Sequence, residues 1–262
     1  MFDYKNLLIE QIETGIVKVT VNRPRALNAL NIETMRELGD MTEKIGARKD
    51  VHVVIITGAG DKSFVAGADI DIMSDMGLWE GREWGVLGGM TGQRIEEMPQ
   101  MVIAAVNGYA LGGGAWLATS CNLRIASEKA VFGAPEVKLG IMAGFGWTQT
   151  LPRIIGVGNA LDMLTTGRFI KADEALRMGL VNRVVPHEQL MDAALEMARM
   201  ICANGPIAVR LTKRAVYEGL SMPLAASRIY ERELHGLCFT TQDQKEGMAA
   251  FLEKRTPHFE NK

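Results

Sequence analysis

An α/β fold is predicted for the 262-residue chain: a core of strand-and-helix units followed by a helical C-terminal region. Three observations carry that expectation. Val51 to Thr57 and Met101 to Val106 are short, continuous apolar runs, each ended by a turn signal, Gly58-Ala59-Gly60 and Asn107-Gly108. Strands covered on both faces read this way. Asn31 to Ile45 places Ile32, Met35, Leu38, Thr42 and Ile45 at helical spacing. After Gly140 the patterning turns almost wholly helical.

The remaining elements follow in order. Gly15 to Asn22 alternates apolar and polar residues, as a half-buried strand does. Asn31 is placed to cap the helix that follows it. Leu123 to Ala126 and Ala130 to Phe132 supply two further strands. Helices are expected at Ala160–Leu164, Ala172–Met178, Leu190–Cys202, Ile207–Gly219, Pro223–Cys238 and Asp243–Lys254. No low-complexity linker interrupts the chain. Residues 1–200 are read as the core and 201–262 as a helical oligomerisation region.

Composition excludes several function classes. A net charge of −2 gives no basic field to hold nucleic acid. Cys121, Cys202 and Cys238 are odd in number and widely spaced, which points to reduced thiols in the cytoplasm rather than disulfides. Met1 to Glu10 lacks the pattern of a secretory leader, and no apolar stretch is long enough to span a membrane. His52, His187, His235 and His258 are scattered without metal-ligand spacing, so no metal is expected. Lys62-Ser63 lacks P-loop spacing, and there is no GxSxG nucleophile elbow. The sixteen methionines suit adaptable core packing, with a few lining an oily cavity.

Three segments carry candidate chemistry. Phe64 to Ile70 (FVAGADI) follows a strand, and its small residues let the backbone approach a ligand. Asp69 there is positioned to cap a helix. Asn107 to Trp116 holds three successive glycines between a strand and a helix. Such a stretch is either a plain tight turn or a place where peptide N–H groups face a developing negative charge. Glu136, after Pro135, is either a surface residue opening a helix or a carboxyl in an apolar setting with a raised pKa, fit for general acid/base work. Met73 to Gly92, rich in glycine and carrying Trp79 and Trp84, reads as a mobile cover over an acyl site or as a loosely packed surface helix.

Together with Asn22 to Leu30 (NRPRALNAL), Lys171 to Val181 and Phe251 to Arg255, these segments resemble the crotonase (enoyl-CoA hydratase/isomerase) superfamily along the whole chain. The similarity is nearest to short-chain bacterial enoyl-CoA hydratases. The resemblance implies a spiral of ββα units with a helical trimerisation region, assembled as a homotrimer or a dimer of trimers. It implies oxyanion donors from Ala68 and Gly113 and an acid/base at Glu136. CoA contacts are implied for Arg25, Ala26 and Leu27, with further contacts near Ala66, Asp69 and Ile70. No cofactor is expected, because coenzyme A arrives within the acyl-CoA substrate.

One departure from the family pattern bears on mechanism. Hydratases of the family carry two glutamates, and the first falls at Trp116, whose indole can donate a hydrogen bond but cannot exchange a proton. Ala143 to Thr150 (AGFGWTQT) also differs; Trp147 is expected to narrow the pocket, and Thr150 replaces a positive charge. Trp116, Trp147, Trp79 and Trp84 are the expected pocket residues. Hydration or double-bond isomerisation of an enoyl-CoA with one carboxylate is the leading expectation. Decarboxylation or thioester hydrolysis is the alternative, and a non-catalytic RNA-binding role on this scaffold is disfavoured by the acidic balance.

Overall fold

The computed structural model describes residues 3–262. Met1 and Phe2, part of the stretch read for a leader, lie outside the described residues. The chain opens with a hairpin of β1 (Leu7–Glu13) and β2 (Ile16–Val21), turning at Gly15 with φ +78°. Helix α1 (Ile32–Gly46) follows, and the Asn31 side chain accepts the Thr34 N–H at 2.8 Å, the capping bond expected. Met35, Leu38, Thr42 and Ile45 are buried as the helical spacing requires, whereas Ile32, in the first turn, is exposed.

The middle of the chain winds in repeating turns, each giving one strand to each of two sheets. The pairs are β3 (Val53–Gly58) with β4 (Ser63–Val65), β5 (Met101–Val106) with β6 (Tyr109–Leu111), and β7 (Leu123–Ser127) with β8 (Val131–Gly133). Strands β9 (Phe169–Lys171) and β10 (Arg183–Val185) complete the sheets. The larger sheet runs β1-β2-β3-β5-β7-β10, parallel from β2 onward; the smaller runs β4-β6-β8-β9. This is the spiral of ββα units that the resemblance implied.

Both faces of the larger sheet are covered, which explains the uninterrupted apolar runs of β3 and β5. Ile55, Ile103 and Ile125 meet α8 (Leu190–Cys202) on one face. Val54, Ile56, Val102 and Ala104 meet the main core on the other, together with α1, α3 (Leu78–Glu97) and α4 (Gly113–Ser120). The stretch read as a cover or a loose helix is therefore ordered and packed in its second half: Trp84, Gly88, Thr91, Gly92 and Ile95 of α3 are buried.

A short helix α2 (Ile70–Met73) precedes α3, and α5 (Trp147–Ile155), α6 (Val157–Thr166) and α7 (Ala172–Arg177) follow β8. The last three helices are α9 (Pro206–Gly219), α10 (Leu224–Cys238) and α11 (Gln242–Glu253). Buried Lys213 anchors α9 by donating to the Met98 and Gln100 carbonyls at 2.7 and 2.8 Å. Burial pushes its pKa down to about 7. No helix among the described residues is long and apolar enough to cross a membrane.

Candidate active site

The site is assembled where the chain leaves its parallel strands. Residues 22–30 form the first wall. Pro24–Ala26 make one 3-10 turn, and Leu27 and Asn28 then adopt left-handed backbone, φ +51° and +61°. Asparagine tolerates that region better than most residues. The fully buried Asn28 accepts the Arg23 N–H at 3.0 Å and donates to the Ala59 and Ser63 carbonyls at 3.0 and 2.9 Å. It thereby staples this loop to the turn after β3. Asn28→Ala is expected to lower unfolding free energy by about 2–4 kcal/mol, since it strands buried partners. A urea midpoint unchanged from wild type would contradict that role.

The second wall, Ser63 to Ile70, zips onto the first. Ala66 N donates to Leu27 O at 3.1 Å, Leu30 N to Gly67 O at 2.8 Å, and Asp69 N to Leu30 O at 2.9 Å. Asp69 does not cap α2 as expected; its carboxylate pairs with Arg23 at 3.1 Å. Four residues are too short a helix to need that cap, while the guanidinium offers a stronger partner. The expected CoA-contacting residues thus lie together: Arg25, Ala26, Leu27 and Ile70 are exposed along one rim, with Ala66 and Asp69 half-buried behind them.

The Ala68 and Gly113 N–H groups have no acceptor among the described residues. Gly67 reaches φ +111° just before Ala68, and Gly112 reaches φ +50°, ψ −118° just before α4. A methyl placed on Gly113 would lie 3.6 Å from the Ala68 nitrogen, so the two residues are close neighbours. One on Gly114 would overlap the Val65 carbonyl, which shows how closely the start of α4 is pressed onto β4. Gly113 opens the helix, where the N–H is an orphan donor and the dipole is positive. Two such donors suit a carbonyl oxygen gaining negative charge.

Glu136 stands beside Gly112, the residue before the second donor. It follows β8 on a 3-10 turn, Pro135–Leu139, and the hydrogen bond from Gly112 N to Gly133 O (2.8 Å) ties that strand to the start of α4. The carboxylate oxygen Oε1 lies 2.8 Å from where a methyl on Gly112 would sit. The other oxygen, Oε2, is buried without a partner among the described residues. Burial raises the carboxyl pKa above its ordinary value, only partly offset by a backbone hydrogen bond.

The expected pocket tryptophans divide. Trp116, one helical turn beyond Gly113, is buried, its ring centroid 4.9 Å from that of Phe145 at 62°. Trp84 is also buried and meets Phe145 edge-on at 5.3 Å. Trp147 is buried in the main core at the start of α5, and its indole N–H has no acceptor among the described residues. Trp79 does not join them: it is exposed, with the Arg82 guanidinium 5.9 Å from its ring. Phe145 escaped the sequence reading, although Gly144 and Gly146 on either side marked a tight backbone. No group of three or more His, Cys, Asp or Glu residues suited to a metal occurs among the described residues.

A cavity of about 850 Å3 lies elsewhere, between α5 and α9, lined by Arg153, Lys213 and Leu220 among others. None of Ala68, Gly113 and Glu136 lines it. The two amides and the carboxylate, rather than volume, mark the candidate site.

Comparison with known proteins shows the family and the fold. The enoyl-CoA hydratase/isomerase family profile matches residues 11–262. The chain is 49% identical over 253 residues to the short-chain-enoyl-CoA hydratase of Clostridium acetobutylicum, covering 97% of each. It is 49% identical to the crotonyl-CoA hydratase of Syntrophomonas wolfei, covering 99% of each. The crystal structure of enoyl-CoA hydratase from Bacillus anthracis superposes with a TM-score of 0.95 at 41% identity, across 98% of this chain and all of that one.

Proposed function

The chain belongs to the enoyl-CoA hydratase/isomerase family, and from that premise we propose that it hydrates a short-chain enoyl-CoA with Glu136 as its sole acid/base. The observation that carries this reading is the pairing of unengaged N–H groups at Ala68 and Gly113 with a buried, half-unpartnered carboxylate beside them. The thioester carbonyl accepts from both amides. Glu136 takes a proton from water, and the hydroxide adds to carbon 3. The electron pair moves onto the carbonyl oxygen as an enolate, which the two N–H groups stabilise. Collapse of the enolate takes the proton from Glu136 to carbon 2, so one water is added and the carboxylate is regenerated.

Because Trp116 can neither accept nor release a proton, both transfers fall to the same oxygen pair. Addition of the hydroxyl and hydrogen to one face of the double bond follows. The same lone carboxylate suits a second reaction, moving a proton between carbons 2 and 4 of an enoyl thioester. The buried indole at position 116 favours retaining that reading beside hydration. Coenzyme A lies along the rim of Arg25, Ala26, Leu27 and Ile70, and no separate cofactor takes part. Incubation with crotonyl-CoA is expected to yield a product heavier by one water, with loss of the enoyl-thioester ultraviolet absorbance. Unchanged mass and absorbance at high enzyme concentration would reject hydration.

The assembly is proposed to be a homotrimer or dimer of trimers, with residues 201–262 as the oligomerising region. Apolar side chains left exposed on α9, α10 and α11, among them Val216, Leu224, Ile229, Phe251 and Leu252, support this. Light scattering is expected to give a mass that is a multiple of three chains; a monomer at micromolar concentration would reject it.

A further inference from the structure

Arg124 and Lys213 are cations only 7% and 9% exposed, and neither forms an ion pair among the described residues. Arg124 Nε donates to the Leu180 carbonyl at 2.7 Å and Nη1 to the Cys121 carbonyl at 2.6 Å. Its Nη2 has no acceptor among the described residues. Lys213 uses two of the three donors of an ammonium, on the Met98 and Gln100 carbonyls. Carbonyls orient these charges but do not neutralise them. A buried charge is costly unless an opposite one pairs with it, and burial lowers the pKa of both groups. The two lie near one another, since the charges of both act on the Cys121 thiol.

Both cations line the same cavity, the space of about 850 Å3 between α5 and α9. Exposed Arg153 lines it as well. Among the described residues Glu96 is the one carboxylate in its wall, and burial raises the Glu96 pKa, which makes it a poor counter-ion. Tyr217 adds a donor: its hydroxyl accepts from Asn122 at 3.2 Å, and its own proton has no acceptor among the described residues. Much of the remaining wall is apolar, with Met101, Ile154, Val209, Val216 and Leu220. Unneutralised positive charge set in an apolar wall suits an anion with a hydrocarbon body. We propose that this cavity is a second ligand site, for a carboxylate bearing an apolar tail such as a free fatty acid, held at its head by Arg124 and Lys213. Helix α4 opens at Gly113, and Thr119 in its last turn lines the cavity, so the site lies at the far end of that helix from the proposed oxyanion donor.

Calorimetry of the full-length protein with octanoate, alone and with saturating butyryl-CoA, tests the assignment. Octanoate is expected to bind in both cases with affinities within a few-fold of one another, and octanol, with the same tail and no charge, far more weakly. Arg124→Met is expected to weaken octanoate by roughly 10- to 100-fold, the worth of a hydrogen bond to a charged group, and to leave octanol unmoved. Because Arg124 also holds two backbone carbonyls, Ala208→Trp is the companion variant. Ala208 is exposed in the cavity wall, so an indole there fills the space without removing a side-chain hydrogen bond, and octanoate binding is expected to vanish with the fold retained. Displacement of octanoate by butyryl-CoA, equal affinity for octanol, or an octanoate affinity unmoved in both folded variants would overturn the assignment. So would a failure of octanoate to bind the wild type. A lowered mass of Arg124→Met in light scattering would then point to a partner chain's carboxylate as the counter-ion, since Val216 of the same wall belongs to the surface proposed for assembly.

Discussion

Glu136→Gln is expected to lower enoyl-CoA turnover by ~10⁴-fold while acyl-CoA affinity stays within a few-fold of wild type. General acid/base assistance is worth ~10²–10⁴-fold, and one residue is proposed to supply both the base and the acid, so the loss is expected at the upper end. Glutamine keeps the shape and a hydrogen-bonding oxygen but cannot carry the proton. The loss therefore falls on kcat rather than on KM. Two pH effects accompany it. The carboxylate must be ionised to take a proton from water, and burial raises its pKa. Wild-type kcat/KM is thus expected to fall with acidification at a pH above the ordinary glutamate value of ~4.3.

Stability moves in the opposite sense. A carboxyl whose pKa is raised on folding favours the native state below its unfolded pKa and loses that contribution as pH climbs through the folded one. At pH 7–8 the buried, ionised Glu136 is a burden. Glu136→Gln should then be more stable than wild type there, by ~0.5–2 kcal/mol, with the difference shrinking toward pH 4. Thermal melts across that range check the sign. A variant that is equally active, or less stable at pH 8, would remove Glu136 from its assigned place.

Gly113→Pro is the second large effect, expected to cost ~10²–10³-fold in kcat with the fold retained. Proline is at home in the first position of a helix, because the N–H it lacks has no partner within the helix. At Gly113 that orphan N–H is one of the two proposed oxyanion donors, and losing such a donor costs about 2.7–4 kcal/mol of transition-state stabilisation. Gly113→Ala is the companion variant, since it retains the donor. Its methyl would lie 3.3 Å from Leu30 Cδ1, a tight but yielding neighbour, so a smaller loss is expected. Equal losses in the two variants would show that crowding, not the missing N–H, is responsible.

Much of this arrangement was legible from residues alone, for identifiable reasons. Strands β3 and β5 stand out because both faces of the larger sheet are covered. Helix α1 stands out because its cap and its stripe agree. Strands β4, β6 and β9, each of 3 residues, leave no period to detect. Strand β1 is an edge strand with much of its surface exposed, and its polar residues hide the alternation. Helix α3 was obscured by its own glycines, which suggest a loop until the rings of Phe145 and Trp116 are seen against them. Glu136 and the glycines of α4 stand out in the sequence as candidates for chemistry. The division among the tryptophans was not, since nothing in composition tells exposed Trp79 from buried Trp84.

The central claim is that the peptide N–H groups of Ala68 and Gly113 grip the thioester oxygen. Isotope-edited infrared spectroscopy of a bound acyl-CoA labelled with carbon-13 at the carbonyl addresses it directly. The carbonyl stretch is expected to fall in frequency in the wild type and in Glu136→Gln, and to return toward its aqueous position in Gly113→Pro. A bound carbonyl at its aqueous frequency in the wild type, or one still shifted to the full extent in Gly113→Pro, would contradict the account.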